Sequence, residues 1–127
     1  MPIRRAYAEA YALLSEPRNF PKWSPVADAL FEPLDSGGLR YRVDLPRGRR
    51  IIAFTPRNAH GILDYVIETE EGRHEHTAFI RLVPNGDGCT LIAHYIMREG
   101  MTDDQFDSEL AWAATDYQAM AAQIEVL

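Results

Sequence analysis

The clearest periodic pattern lies at the end of the chain. Between Gly100 and Leu127, Phe106, Leu110, Ala113, Tyr117, Met120 and Ile124 recur at steps of three or four, which makes one apolar stripe on a long helix. Thr102 sits where a helix cap is needed, and Gln105 three residues on can reach back to close a capping box. Met101 and Phe106 fall at the positions of a hydrophobic staple. Asp103 and Asp104 place negative charge in the first turn, where the helix dipole favours it. Ala113, Ala114, Ala119, Ala121 and Ala122 let a partner surface approach closely, or leave space beneath the helix.

Ahead of this helix the period changes. Residues 4–14 read as a first helix with Tyr7, Ala10, Tyr11 and Leu14 on one face, stopped by Pro17. One further helical turn can tuck Phe20 and Trp23 inward. From Val26 onward strands and turns take over. Strands are expected at Leu30–Leu34, Leu39–Leu45, Arg50–Thr55, Ile62–Thr69, His74–Val83 and Cys89–Met97. Leu39, Tyr41 and Val43 alternate with Arg40, Arg42 and Asp44, and Leu63, Tyr65 and Ile67 alternate with Asp64, Val66 and Glu68. Pro84-Asn85-Gly86-Asp87-Gly88 is a strong hairpin signal, because Asn-Gly and Asp-Gly reach positive φ cheaply. Short helices, then about six antiparallel strands, then one long helix make an α+β domain rather than a parallel βαβ sheet. A curved sheet with one long helix across its concave face can enclose a ligand pocket.

Composition narrows the reading. The chain has 127 residues, one domain in length, and its 46% apolar and 25% charged content is ordinary for a water-soluble fold. No apolar run approaches the ~20 residues of a membrane span, and the opening MPIRRAYAEAY lacks the apolar core of a secretory signal. A net charge of −6 argues against a nucleic-acid surface. Cys89 is the only cysteine, so no internal disulfide forms and a reducing, cytoplasmic setting is expected.

Several local strings now agree with the layout. Tyr11-Ala12-Leu13-Leu14-Ser15-Glu16-Pro17, followed by Trp23, resembles the first-helix corner of the START-like superfamily. That is the SRPBCC or helix-grip group of polyketide cyclases, birch-pollen-type allergens and lipid-transfer proteins. Thr55-Pro56-Arg57-Asn58-Ala59-His60-Gly61-Ile62-Leu63-Asp64, Val83-Pro84-Asn85-Gly86-Asp87-Gly88 and Gly100-Met101 with Phe106, Trp112 and Asp116 are similar to a bacterial polyketide cyclase-like subgroup without assigned chemistry. The resemblance spans nearly the whole chain as a single domain, 1–127. It implies a helix-grip fold and leaves function open, because one such fold hosts unrelated activities. The superfamily opens with a full edge strand, whereas only Met1–Arg5 are left for it here. Either that strand is a stub of about three residues, or the native start lies upstream. A missing strand exposes backbone groups that a homodimer along that edge would satisfy.

Candidate chemistry is sparse. His74 and His76 flank Glu75 on a strand and would point the same way, a metal pair only if further ligands arrive; a solvated strand end is the plainer reading, and no metal or cofactor is expected. Asp64 and Arg81 are weak catalytic candidates if they face inward, and a surface ion pair if they face outward. His94 can titrate in a cavity or serve as a hydrogen-bonded structural histidine. Arg40, Arg42, Arg47, Arg49 and Arg50 can hold an anion or form a solvated face. Trp112 lies about 120° off the helix stripe, so it packs on the shoulder against Trp23 or the first helix, or stands exposed. The leading expectation is a hydrophobic or aromatic small molecule held between sheet and helix. Tyr41, Val43, Phe54, Leu63, Tyr65, Ile80, Tyr95, Leu110, Ala113, Tyr117 and Met120 would line the site. The alternatives are a cyclase- or dehydratase-like enzyme with Asp64, Arg81, His94 or a tyrosine as acid and base, marked by a deep titratable group of shifted pKa, and a filled core with a protein-interaction surface, marked by no cavity above ~300 Å3.

Overall fold

The computed structural model describes residues 1–24, 30–46 and 48–127. Val26, at the expected onset of strand structure, and Arg47 of the arginine group lie outside them. In chain order the elements are β1 (Pro2–Ile3), α1 (Tyr7–Leu14), a 3-10 turn (Pro17–Asn19), α2 (Phe20–Trp23), β2 (Phe31–Pro33), β3 (Arg40–Leu45), β4 (Gly48–Phe54), β5 (Tyr65–Glu68), β6 (His74–Asn85), β7 (Gly88–His94) and α3 (Asp103–Val126). The strands form one antiparallel sheet in the order β1-β7-β6-β5-β4-β3-β2.

Alternation decides which face of the sheet is covered. Tyr41 and Val43 of β3, Ala78, Ile80 and Leu82 of β6, and Cys89 and Leu91 of β7 are buried, while Arg40, Phe79, Arg81 and Ile92 between them are exposed. Gly86 at φ 59° supplies the tight turn between Asn85 and Gly88, which face each other across the β6–β7 hairpin. The first strand is short rather than missing. The Met1 ammonium donates to the Leu91 carbonyl at 2.7 Å, the Leu91 N–H donates to the Met1 carbonyl at 2.8 Å, and Ile3 is buried in the core.

Two apolar clusters result. One joins Ile3, Ala10, Leu14, Ile80, Leu82 and Leu91 to Met120, Ala121 and Ile124 of α3. The other is aromatic: Phe20 of α2 meets Phe31, Phe54, Trp23 and Tyr65 at ring distances of 4.8–5.7 Å, and Tyr41 stacks on Phe31 at 4.4 Å. The capping box at Thr102 forms on both arms, with Gln105 N–H to Thr102 Oγ1 at 3.1 Å and Thr102 N–H to Gln105 Oε1 at 3.4 Å. Only the last third of α3 is buried. Leu110 keeps 42% and Trp112 keeps 59% of its surface exposed, so the earlier turns stand away from the sheet. No described helix is long and apolar enough to cross a membrane.

Gly61 marks where the strand before β5 crosses closest to β6. Its carbonyl accepts from Leu82 N–H at 2.9 Å, its φ is 68°, and an added Cβ would lie 2.1 Å from the Leu82 carbonyl oxygen. Gly72, at φ 86°, has open space around it. In urea melts Gly72→Ala is expected to cost about 1 kcal/mol, the left-handed penalty alone. Gly61→Ala should cost clearly more, because backbone must also move. Replacing Ile124, which is fully buried, with Ala is expected to cost about 2–5 kcal/mol.

Candidate functional site

The stand-off of α3 encloses a cavity of about 250 Å3. Its floor is the concave sheet face at Ile52, Tyr65 and Ile67; α2 supplies Phe20 and Trp23; the roof is the face of α3 carrying Glu109, Trp112, Ala113, Asp116, Tyr117 and Met120. The volume falls short of the ~300 Å3 at which ordinary ligand pockets begin, which meets the mark set for the filled-core alternative, so any case for a ligand rests on the lining. Among the described residues, the Trp23 indole N–H is buried without a hydrogen-bond partner.

The lining expected from the residue pattern divides once the side chains are placed. Tyr65, Tyr95, Ala113, Tyr117 and Met120 line the cavity. Phe54, Leu63 and Ile80, with Tyr65 and Met120, surround a void of about 20 Å3 behind it. Tyr41 and Val43 are buried in the aromatic cluster and its surroundings, away from the cavity. Leu110 faces an open groove of about 360 Å3 between α3 and β7.

One end of the cavity is polar, and little in the sequence pattern marks it. Tyr95 O–H donates to Glu109 Oε2 at 2.6 Å, and Arg98 pairs with the same oxygen at 3.0 Å while its other amino group lies 3.3 Å from the Tyr95 hydroxyl. Arg50 pairs with Glu75 at 2.6 Å. A bulge in the β5–β6 ladder brings this about. Ile67 pairs with His76 and Glu68 with His74, so Glu75 is the extra residue. Glu75 and His76 both line the cavity, and His76 packs against the Tyr95 ring at 5.6 Å. His74 is turned outward onto Thr77 Oγ1 at 2.8 Å. The two imidazoles therefore do not share a face, contrary to strict alternation.

Asp64, Arg81 and His94 do not line the cavity. Asp64 Oδ1 accepts the Ile80 N–H at 2.7 Å, filling a gap where β5 has not yet paired with β6. Arg81 donates to the His60 carbonyl at 3.1 Å, and His94 is exposed at the end of β7. Asp64 and Arg81 thus form neither a buried pair nor a surface ion pair with each other; each is engaged with backbone.

Burial shapes the ionisation of the lining. It pushes the Tyr117 phenol up to about 12, with the Asp116 charge adding to the effect, and raises Tyr65 further for the same reason, with Tyr117 and Asp116 contributing. Burial, and then the bond to Glu109, raises Tyr95. Burial raises the Asp116 carboxyl.

No protein-family description matches the sequence, and no curated protein matches it. Solved structures do. The chain is similar to the protein XoxI from Bacillus cereus, with a TM-score of 0.63 at 12% identity over 98% of this chain and 89% of that one. It is similar to Ara h 8.0201, with a TM-score of 0.60 at 11% identity over 100% and 95%. It is also similar to Ms6760 from Mycobacterium smegmatis, with a TM-score of 0.59 at 14% identity over 99% and 85%. These likenesses establish the architecture: an α+β helix-grip fold, with its antiparallel sheet and long C-terminal helix.

A phenol raised by folding binds its proton more tightly folded than unfolded, so its contribution is full below the unfolded value and is lost as pH rises through the folded one. Between about pH 10 and pH 12 Tyr117 should therefore cost the fold stability, and Tyr65 acts in the same sense. Tyr117→Phe is expected to flatten this loss in urea melts across that range. Asp64→Ala should cost about 1–3 kcal/mol by orphaning the Ile80 N–H, without altering occupancy of the cavity.

Proposed function

We propose that this domain binds a hydrophobic or aromatic small molecule in the space between the sheet and α3, and that it belongs with the polyketide cyclase-like START proteins. The observation that carries this reading is the lining: aromatic and aliphatic side chains from α2, β4, β5 and α3 converge on a void, with hydrogen-bonding groups gathered at one end. An apolar body meeting Phe20, Trp23, Ile67 and Met120 gains about 25 cal/mol per Å2 buried, on the order of 5 kcal/mol for a two-ring molecule before the cost of association. The Tyr95–Glu109–Arg98 cluster orients its polar end.

Burial gives the lining shifted titratable groups in Tyr65, Tyr117 and Asp116, the mark set for the enzyme alternative, and it is the sense of the two tyrosine shifts that supports binding instead. Tyr65 and Tyr117 are moved away from neutral pH, which suits them to donate hydrogen bonds rather than to shuttle protons. Of the acid–base candidates, Asp64, Arg81 and His94 lie outside the cavity, while the tyrosines Tyr65, Tyr95 and Tyr117 line it.

The test uses N-phenyl-1-naphthylamine, a neutral apolar fluorophore of two-ring width, and the variant Ala113→Trp, which places an indole in the roof. The native chain is expected to enhance its emission saturably with one equivalent bound. Ala113→Trp should weaken binding at least about tenfold while its circular dichroism stays native. Absent enhancement, or enhancement untouched by the substitution, contradicts the reading.

A further inference from the structure

Among the described carboxylates of the cavity wall, Asp116 differs from the others. Glu109 is held by Arg98 and Tyr95, and Glu75 by Arg50. Asp116 makes no hydrogen bond or ion pair with any described residue, and its surroundings are the rings of the roof and floor. Its position on α3 explains its placement: Glu109, Trp112, Ala113, Asp116, Tyr117 and Met120 follow one another at helical spacing along the arc that faces the void. Asp116 is near enough to Tyr65 and Tyr117 that its charge opposes the ionisation of both phenols.

A half-buried carboxylate without a partner weakens a fold unless something compensates it. No described basic side chain does so, since Arg50 and Arg98 are already engaged at 2.6 and 3.0 Å. Those same pairs disfavour an anionic ligand, which would have to break one of them. A cation meets the opposite situation. It finds an uncommitted negative charge in a wall that also carries the aromatic side chains of Tyr65, Trp112 and Tyr117, a residue type whose rings attract positive charge. The Trp23 side chain contributes to the apolar wall across from it, with its indole N–H buried.

We propose that the ligand of this cavity carries a protonated amine on an aromatic or apolar body, with the ammonium at the Asp116 carboxylate and the body against Phe20, Trp23, Ile67 and Met120. The inference rests on the ligand-site reading above and narrows it to amines.

Three probes of one shape separate the possibilities: 2-(1-naphthyl)ethylamine, 2-(1-naphthyl)ethanol and (1-naphthyl)acetate, titrated calorimetrically near neutral pH into the native chain and Asp116→Asn. The amine should bind about tenfold or more tighter than the alcohol, and the acetate weakest. Asp116→Asn should erase the preference for the amine over the alcohol and melt no lower than the native chain, because it removes an unpaired half-buried charge. Alcohol binding as tight as amine binding, acetate binding tightest, or a preference that survives Asp116→Asn overturns the amine assignment and leaves the pocket standing. If none of the three binds, the amine assignment falls, and the pocket reading falls with it only if N-phenyl-1-naphthylamine also gives no saturable enhancement.

Discussion

The structure depends on a helix that is fixed at both ends and only partly backed between them, by Tyr117 on the core and by α2 at its side. At its C-terminal end α3 sinks Met120, Ala121 and Ile124 into the core. The chain's beginning grips it there, with the Arg5 side chain donating to the Ile124 carbonyl at 3.0 Å and the Arg4 N–H to Glu125 at 2.8 Å. Toward its N-terminal end Glu109 is tied to Arg98 and Tyr95 on the segment leaving β7. Backbone hydrogen bonds run the whole length of a helix and make it stiff, so the turns between these attachments need nothing beneath them. The cavity is what that stiffness leaves.

A void forfeits dispersion contacts that a filled core would make, and its wall carries two further costs: an indole N–H without a partner and a carboxyl whose charged form is disfavoured. Selection for stability alone would fill such a space. That packing and polar satisfaction both lapse at this one place is what supports the proposed ligand site. The rest of the chain supplies the stability. The Phe20-centred aromatic cluster holds α2 on β3, β4 and β5, and the β6–β7 hairpin with its short β1 edge backs α3.

Much of this was legible in the residues, for physical reasons. The capping box at Thr102, the alternation of Tyr41 and Val43, and the turn after Asn85 are local, and local chemistry is what a sequence states directly. The long helix was equally plain, but its apolar stripe did not tell which arc would face the void. Leu110 belongs to the stripe and turns to the outer groove, whereas Glu109 and Asp116 do not belong to it and form the roof. A stripe identifies residues that avoid water, and a cavity wall need not be made only of those. The β-bulge at Glu75 has no sequence signature, so the strict two-residue period misplaced His74 and hid the Arg50–Glu75 pair. Asp64 resembled a catalytic carboxylate by its apolar neighbours. Its role as acceptor for a stray backbone N–H depends on a gap in strand pairing that only the fold creates. The Arg98–Glu109 pair joins residues on two different elements, and spacing says nothing about such a meeting.

Native mass spectrometry of the protein drawn from its own host tests the central claim most directly, since it asks whether the space under α3 is occupied where the protein works. A discrete small-molecule adduct is expected at one per chain, released on gentle activation and absent from Ala113→Trp prepared alongside. A bare chain mass in both preparations, together with methyl–methyl proton contacts between Ala113 and Ile67 that close the space, would contradict it.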